Sequence, residues 1–371
     1  AATPVPVAIR RPARPALIRR VPNNLPSRTA DNLFWLGRYH QRAEAIARRL
    51  RGAIASIDER VMPLATPQEL AVLRGLLTTG SFVPADLGEE PASRLLNTVS
   101  RRVFERDYGA GLLSALRRLH GNAESVRDRM SHDSWIAVNR IEQAMEAAQR
   151  VADRPGLLLP RIDDIIFNLR ALAGALTDTM SRGHAWRFND LGRCLERSLQ
   201  MLELFAATVL RDRAGSPAVL HALLDISDCA VIYRGRYLAE PELVPVLDLL
   251  IADQENPRSL AYQLNEIVQH VEALASLQGP LMGNDQRFAI AAYSAVRTAD
   301  IDELAMVDTR GDNINLDRLV EYLQSRLFEL GNAITHRYFS HVGGRDRQLG
   351  IGILPSAGAE WERLGGGDAS A

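Results

Sequence analysis

The sequence SRTADNLFWLGRYHQRAEAIARRLRGAIASI, residues 27–57, carries the pattern of one long amphipathic helix. Along it, residues that are apolar or small, with one histidine among them, return every three or four positions: Leu33, Leu36, His40, Ala43, Ala47, Leu50, Ile54 and Ile57. This spacing puts a single stripe on one helix face, against one neighbour. Ser27 after Pro26 predicts the start and Pro63 the end, so the helix would have about 33 residues and a length of about 50 Å.

Helical periodicity continues along most of the chain. Further stretches with apolar positions three and four apart are 111–130, 132–152, 157–182, 186–213, 217–238, 257–276, 284–308 and 314–340. The sequence lacks alternating β-branched runs separated by hairpin turn residues, and residues 61–110 have no clear pattern. We therefore predict an all-α protein with the shape of an elongated helical bundle.

Three segments recur in the same order at similar offsets. The recurring pairs are 36–38 with 191–193, 169–180 with 323–334, and 114–119 with 259–264, at offsets of 155, 154 and 145 residues. Repetition at a near-constant offset indicates a duplicated multi-helix unit, for which pseudo-twofold packing is the natural arrangement. We predict a first helical repeat over 27–185 and a second over 186–340.

The two ends of the chain differ from this helical part. Residues 1–26 hold six prolines, five arginines and no acidic residue, which is incompatible with a helix. We interpret them as a Pro/Arg-rich linker, or as a basic arm that docks on a partner or on the body of the protein. Residues 341–371 are interpreted as a C-terminal tail. The start at Ala1 without a methionine indicates processing or a piece of a longer polypeptide.

Composition excludes several kinds of chemistry. All 44 basic residues are arginine, so no lysine is present as an amine nucleophile, a Schiff-base former or the phosphate-binding residue of a P-loop. A formal net charge of -1 argues against broad capture of nucleic acid or of an anionic membrane. The two cysteines have no paired spacing, and neither a membrane span nor a secretory signal is visible. We therefore predict a cytoplasmic protein without nucleic-acid or membrane partners.

A motif Gly-Arg-x-x-(Glu or Gln)-Arg lies inside a helix in both predicted repeats. Glycine costs about 1 kcal/mol relative to alanine in a helix interior, which indicates a close helix crossing. The arginines are four residues apart, hence on one face. If both faces point inward, four guanidinium groups meet near the pseudo-axis: Arg38, Arg42, Arg193 and Arg197.

Two interpretations of these arginines stay open at this point. They could bind an anion, because the guanidinium fork suits a carboxylate or phosphate. They could instead form a structural network with Glu44, Glu196 and nearby acids that fixes the register of the helices.

The motifs also resemble those of a known family. Residues 27–39, SRTADNLFWLGRY, followed by Arg42-Ala43-Glu44, look like the opening of the alpha-E family, which is named for helical content and a Glu-Arg motif. The segment from Thr179 to Arg197 resembles the central signature of that family more closely still. With Asn256-Pro257-x-Ser259 and Tyr338-Phe339, the resemblance covers residues 27–340. Gln41 is a departure, since the family usually has Glu there, and a neutral amide cannot balance Arg38 or Arg42.

The resemblance implies a context more than an activity. Alpha-E proteins are similar to partners of a circularly permuted ATP-grasp ligase, which is either fused N-terminal to the helical domain or encoded beside it, often with a transglutaminase-like protein. The resemblance implies that this chain is the C-terminal helical part of such a fusion protein. Peptide or amide-bond formation is the implied chemistry. ATP and Mg²⁺ would then belong to the partner domain, and this chain would hold no cofactor. The candidate binding residues are Arg38, Arg42, Glu44, Arg182, Trp186, Arg193, Glu196 and Arg197.

Three hypotheses follow for function. The chain could be an accessory domain that binds the ligase or its substrate, with paired arginines orienting a carboxylate or phosphate. It could be an enzyme in its own right, with Glu196 as general acid or base. It could be a structural domain that drives oligomerisation. The eight histidines do not pair at helical spacing, so we predict no metal site, and Cys194 has no histidine at helical spacing to activate it.

Overall fold

The computed structural model describes residues 25–57, 92–106, 108–210, 216–275 and 281–339. Throughout these ranges the fold is all-α and contains no strand, as predicted. The helices are α1 (Ser27–Ile57), α2 (Ala92–Arg102), α3 (Leu112–Ser125), α4 (His132–Gln149), α5 (Pro155–Thr179), α6 (His184–Ala207), α7 (Pro217–Ile226), α8 (Ala230–Tyr237), α9 (Leu243–Leu247), α10 (Leu260–Ala275), α11 (Asn284–Arg297), α12 (Ile301–Ala305) and α13 (Ile314–Ile334). A 3₁₀ turn spans Arg127–Arg129, and π-helical turns span Asp248–Ala252 and Thr335–Phe339.

Helix α1 is a central helix and not a surface helix with one buried stripe. Every residue from Ala30 to Gln41 is buried, because α1 packs against α3, α5, α6 and α7 at once. The predicted stripe from Leu33 to Ile54 is buried throughout. His40 lies on the α5 side, where its Nε2 is 2.7 Å from the Leu169 carbonyl oxygen. The predicted end at Pro63 lies outside the described residues.

Two predicted helices are each interrupted. The stretch 217–238 forms α7 and α8, separated at Asp228, whose φ of 62° places it in the left-handed region. The stretch 284–308 forms α11 and α12, because the Asp300 side chain accepts from the backbone N–H groups of Asp302 and Glu303 and starts a new helix. Periodicity continues across both breaks, so the sequence pattern did not reveal them.

The helices pair in the same order in two sets of four. In the first set α1 packs on α3 and α5, while α4 contacts both α3 and α5. In the second set α6 packs on α10 and α13, while α11 contacts both α10 and α13. The largest contact between the sets is that of α1 with α6. A duplicated unit would give this order of contacts; the duplication itself, and its division between residues 185 and 186, stay predictions.

Most of the two terminal segments is not described by the structure. The interpretation of residues 1–26 as a linker lies outside the described residues except for Leu25 and Pro26, and that of residues 341–371 as a tail lies wholly outside them. Leu25 packs against the core, and the Pro26 carbonyl oxygen accepts from the Ala30 N–H at the start of α1. Among the helices that the structure does describe, none combines the length and the apolar character needed to cross a bilayer.

Candidate functional site

The crossing of α1 and α6 is built on two glycines that face each other's backbone. A Cβ on Gly37 would overlap the Asn189 carbonyl oxygen and lie 2.9 Å from the backbone nitrogen of Arg193. A Cβ on Gly192 would overlap the Phe34 carbonyl oxygen. The two contacts are reciprocal at an offset of 155 residues. The close helix crossing that the motif predicted is confirmed, and it brings the arginines of both helices together.

Glu196 of α6 holds both motif arginines of α1. Arg38 Nε donates to Glu196 Oε2 at 2.8 Å, and Arg42 donates to both carboxylate oxygens, from Nε at 2.6 Å and from Nη2 at 3.0 Å. The Arg38 and Glu196 side chains are each 1% exposed. Burial alone would raise the pKa of the Glu196 carboxyl, but Arg42 and Arg38 outweigh it and lower this pKa to about 2. Glu196 is thus a fully ionised structural partner of two arginines.

The counterpart of this contact pairs Arg197 of α6 with Gln41 of α1. Arg197 donates to the Gln41 amide oxygen from Nε at 3.0 Å and from Nη2 at 2.7 Å. Gln41 is therefore not the partner of Arg38 or Arg42, which both bond to Glu196 across the crossing. The neutral amide leaves Arg197 with Glu44, 3.8 Å away, as its carboxylate partner among the described residues.

Arg193 pairs within its own helix and joins a second buried cluster. Its Nε and Nη2 donate to Asp190 Oδ1 at 2.8 and 2.5 Å, and His270 Nε2 lies 2.8 Å from Asp190 Oδ2. Cys194 Sγ lies 3.9 Å from the same oxygen. Because His270 comes from α10, the spacing of histidines along single helices does not predict its contact with Asp190.

Asp190, Cys194 and His270 present ligand atoms within 4.8 Å of one another, which raises the question of a metal centre. Their surroundings do not suit one. His270 Nδ1 faces Arg187 Nη1 at 3.4 Å, whereas a metal-bound histidine needs an acceptor for its other N–H. Burial, with Asp190 beside it, raises the pKa of the Cys194 thiol, which disfavours the thiolate that a metal or a nucleophilic mechanism requires. The cluster fits a hydrogen-bonded link between α6 and α10.

Arg182 and Trp186 are brought to the Asp190 cluster of Arg193 and lie apart from Glu196. The Arg182 guanidinium lies 4.4 Å from the centre of the Trp186 ring, and Trp186 contacts His270 edge-on with ring centres 5.0 Å apart. Trp186 precedes Glu196 by ten residues, about 15 Å along the helix. These two residues therefore extend the Asp190 cluster at the start of α6.

Glu44 is the centre of a third group of arginines. Arg48 Nε and Arg258 Nη2 each donate to Glu44 Oε1 at 2.9 Å, and Arg197 lies 3.8 Å from Oε2. Glu44 is 3% exposed. Burial would raise the pKa of its carboxyl, but Arg258, Arg197 and Arg48 together hold this pKa well below the usual range.

Beside this group lies a cavity of about 40 Å³ between α1, α6, the α7–α8 junction and the residues before α10. Its polar lining consists of Gln41, Arg48, Arg49, Arg197, Gln200, Ser227 and Arg258. We call its four arginines, Arg48, Arg49, Arg197 and Arg258, the cavity arginines. Arg48 is 2% exposed, and its Nη1 is buried with no hydrogen-bond acceptor among the residues that the structure describes.

Positive charge exceeds negative charge around this cavity. Among the residues that the structure describes, the cavity arginines form ion pairs with three carboxylates: Glu44, Glu203 and Asp228. Of these only Glu44 is buried; the side chains of Glu203 and Asp228 are 29% and 41% exposed. Burial, followed by the charges of Arg258 and Arg193, lowers the pKa of Arg197 to about 9. The cavity therefore favours an added negative charge.

Sequence reasoning included Arg197 and Glu44 but missed Arg48, Arg49 and Arg258. The i, i+4 spacing of Glu44 and Arg48 was a usable signal for one of them. Arg258 is the unspecified position of the Asn256-Pro257-x-Ser259 motif and reaches Glu44 across 214 residues. Residue spacing within a helix therefore could not predict that Arg258 lies next to Glu44.

A larger and more open cleft of about 510 Å³ lies between the start of α11 and the end of α13. Its lining includes Asp285 and Arg337, which form an ion pair with each other, while the Tyr338 hydroxyl donates to the second Asp285 oxygen at 3.2 Å. Because these charges are matched internally, the cleft gives weaker support for an anion site than the arginine cavity does.

Comparison with known proteins places the chain in a family. The model of the Alpha-E family, described as a predicted alpha-helical domain with a conserved ER motif, matches residues 25–339. Three uncharacterized proteins, from Mycobacterium tuberculosis strains ATCC 25618 / H37Rv and CDC 1551 / Oshkosh and from Mycobacterium bovis strain ATCC BAA-935 / AF2122/97, are each 26% identical over 334 residues. The matches cover 85% of this chain and 37% of each relative, so the chain spans well under half of their length. No solved structure matches significantly. The chain belongs to the Alpha-E family.

Proposed function

We propose that this chain is a helical accessory domain that binds the acidic group, a carboxylate or phosphate, of a substrate handled by an ATP-grasp type amide ligase. The observation that carries the proposal is the cavity lined by four arginines, in which Arg48 Nη1 is buried without an acceptor among the described residues. A buried guanidinium N–H that lacks an acceptor is costly, and an anion in the cavity would supply one.

The structural and the ligand-binding interpretations apply to different arginines. Arg38 and Arg42 are held by Glu196, and Arg193 is held by Asp190. These pairs fit a network that fixes how α1 and α6 cross. Arg197 is bonded to a neutral amide, which supports a role in ligand binding together with Arg48, Arg49 and Arg258.

The cavity arginines are positioned for binding before a ligand arrives. Arg49 Nη2 donates to the backbone and side-chain oxygens of Gln200 at 3.1 and 3.0 Å, and Glu44 orients Arg48 and Arg258. Guanidinium groups fixed in this way lose little conformational freedom on binding, which favours affinity for a carboxylate or phosphate.

The geometry gives no support to Glu196 as a general acid or base. The carboxylate is 1% exposed, both of its oxygens accept from arginines, and its pKa of about 2 leaves no proton to donate near neutral pH. The ligase partner and a transglutaminase-like partner are also part of the proposal, on the strength of the family resemblance. A cytoplasmic location, expected from the sequence composition, and homo-oligomerisation are further parts of it.

Thermal unfolding of the full chain with added sodium phosphate, acetate or glutamate tests the anion site. We expect a bound anion to raise the melting temperature, because a ligand that binds the folded state stabilises it. Arg258→Gln changes the most exposed cavity arginine, 19% exposed, and should weaken anion affinity about 10- to 100-fold, since a hydrogen bond to a charged group contributes about 1.5–3 kcal/mol.

Arg287→Gln, on the exposed part of α11, is the matched control and should leave the response to anions unchanged. An Arg258→Gln protein that responds to the anions as strongly as the wild type would contradict the assigned site.

A further inference from the structure

Asp228 lies at the exposed side of the cavity and contacts its arginines. Asp228 Oδ2 is 3.3 Å from Arg48 Nη2 and 3.8 Å from Arg258 Nη2, and it also accepts from Arg170. The residues before it, Ile226 and Ser227, are part of the cavity lining. A carboxylate of the chain thus sits on two of the four cavity arginines, where a bound anion would also place an oxygen.

The backbone at Asp228 is unusual. Its φ of 62° is one of two positive values at non-glycine residues in the described part of the chain. Aspartate and asparagine tolerate the left-handed region better than most residues, which explains an acidic residue at this α7–α8 junction. The left-handed turn directs the chain so that the Asp228 carboxylate returns toward α1 and the residues before α10.

We propose that the cavity binds a doubly charged tetrahedral oxyanion of the phosphate type and that this anion replaces the Asp228 carboxylate on Arg48 and Arg258. The inference rests on the proposed function and adds to it the class of the ligand and the residue that limits its affinity.

Charge balance supports a dianion. With Asp228 displaced, the four cavity arginines keep two carboxylate partners in the described part of the chain, Glu44 and Glu203. Two positive charges are then unmatched, which a phosphate dianion neutralises and a single carboxylate does not. Asp228 remains paired with Arg170, which is 49% exposed, so displacement leaves no buried unpaired charge.

Shape and size agree with this ligand class. The donors come from three directions: Arg48 and Arg49 on α1, Arg197 on α6, and Arg258 before α10. Donors converging from several sides suit the four oxygens of a tetrahedral anion better than the two coplanar oxygens of a carboxylate. The cavity of about 40 Å³ has room for one small oxyanion group, either free or as the acidic group of a larger molecule.

Titration calorimetry on the full chain tests the inference with wild type, Asp228→Asn and Asp225→Asn. Asparagine keeps the size of Asp228 and its tolerance of the left-handed turn, so the fold should persist. Asp225→Asn removes an exposed acid three residues away and controls for a general change of charge. The ligands are inorganic phosphate, phosphoserine and acetate; the first two distinguish free phosphate from a phosphomonoester.

We expect Asp228→Asn to bind phosphate or phosphoserine about tenfold more tightly than wild type, Asp225→Asn to match wild type, and acetate to bind at least tenfold more weakly than phosphate. Unchanged or weaker phosphate binding in Asp228→Asn would overturn the exchange with Asp228. Acetate binding as tight as phosphate binding would overturn the ligand class. In both cases the proposed anion site stands; if no anion binds to any of the proteins, the proposed function fails as well. Asp228→Gly serves as a second variant should Asp228→Asn not fold.

Discussion

Glu196 joins α1 and α6 through ion pairs in the interior of the protein. Its carboxylate binds Arg38 and Arg42 from the opposite helix and has almost no contact with solvent. A buried ion pair of this kind is a weak source of net stability, yet removing one partner leaves buried charges without compensation. Loss of the Glu196 carboxylate should therefore lower the stability of the fold by more than the intact ion pair adds to it.

Replacing Glu196 by Gln should lower the free energy of unfolding at pH 7 by about 3–5 kcal/mol, the usual effect of breaking a buried pair. Urea unfolding followed by circular dichroism measures this change. Glu146→Gln, which affects an exposed i, i+4 pair with Arg150, is the control and should change the free energy of unfolding by less than about 1 kcal/mol. A Glu196→Gln protein as stable as the control would show that Arg38 and Arg42 do not depend on Glu196.

The same variant gives a pH dependence with a defined sign. The pKa of Glu196 is about 2 in the folded chain, against an ordinary value of 4.5 for a glutamate in an unfolded chain. A lowered folded pKa contributes stability that is complete above 4.5 and is lost as pH falls toward 2. The difference in unfolding free energy between wild type and Glu196→Gln should thus shrink below pH 4.5; a difference that stays constant down to pH 3 would contradict the assignment.

At the scale of the elements, the contact of α1 with α6 depends on two glycines. Gly192→Ala should destabilise the protein by about 1–3 kcal/mol, because the new methyl group meets the Phe34 carbonyl and the helices must move apart. Gly174→Ala, in α5, meets nothing within 4 Å and should instead stabilise by about 0.5–1 kcal/mol. Melting temperatures of the two variants measure the contrast, and two changes of the same sign would argue against the close crossing.

Sequence patterns predicted the elements better than their interruptions. The cost of glycine inside a helix was enough to predict the crossing at Gly37 and Gly192. The break at Asp228 was not predictable, because its left-handed turn is accompanied by contacts with Arg48 and Arg258, which lie on other parts of the chain. The same holds for His270, which meets Asp190 only through the packing of α10 on α6.

At the scale of the whole molecule, the two sets of four helices meet where α1 crosses α6, and the cavity lies beside that contact. The predicted duplication would explain why Arg42–Glu196 and Arg197–Gln41 are counterparts at one offset. It would also explain the excess positive charge beside the cavity, because Gln41 in place of Glu bonds Arg197 to a neutral amide and leaves Glu44, 3.8 Å away, as its carboxylate partner among the described residues. If the duplication holds, the charge imbalance at this position would follow from one difference between the two predicted copies.

The proposed accessory role can be tested only with a second protein, an ATP-grasp ligase. Mixing the full chain with an ATP-grasp ligase of the partner type should change the rate of ATP hydrolysis or give a complex that is stable in size-exclusion chromatography. Glu196→Gln and Gly192→Ala are unsuitable here because they alter the fold, whereas Arg258→Gln separates ligand binding from complex formation. Unchanged ATP hydrolysis combined with the absence of a complex would contradict the accessory role.

The central claim is that the cavity arginines bind one anion. Titration calorimetry of sodium phosphate into the full chain at low ionic strength, with wild type, Arg258→Gln and Arg287→Gln side by side, measures it most directly. We predict one site per chain in wild type and Arg287→Gln, and affinity lowered by at least tenfold in Arg258→Gln. Absence of phosphate binding in wild type, or equal affinity in all three proteins, would contradict the account.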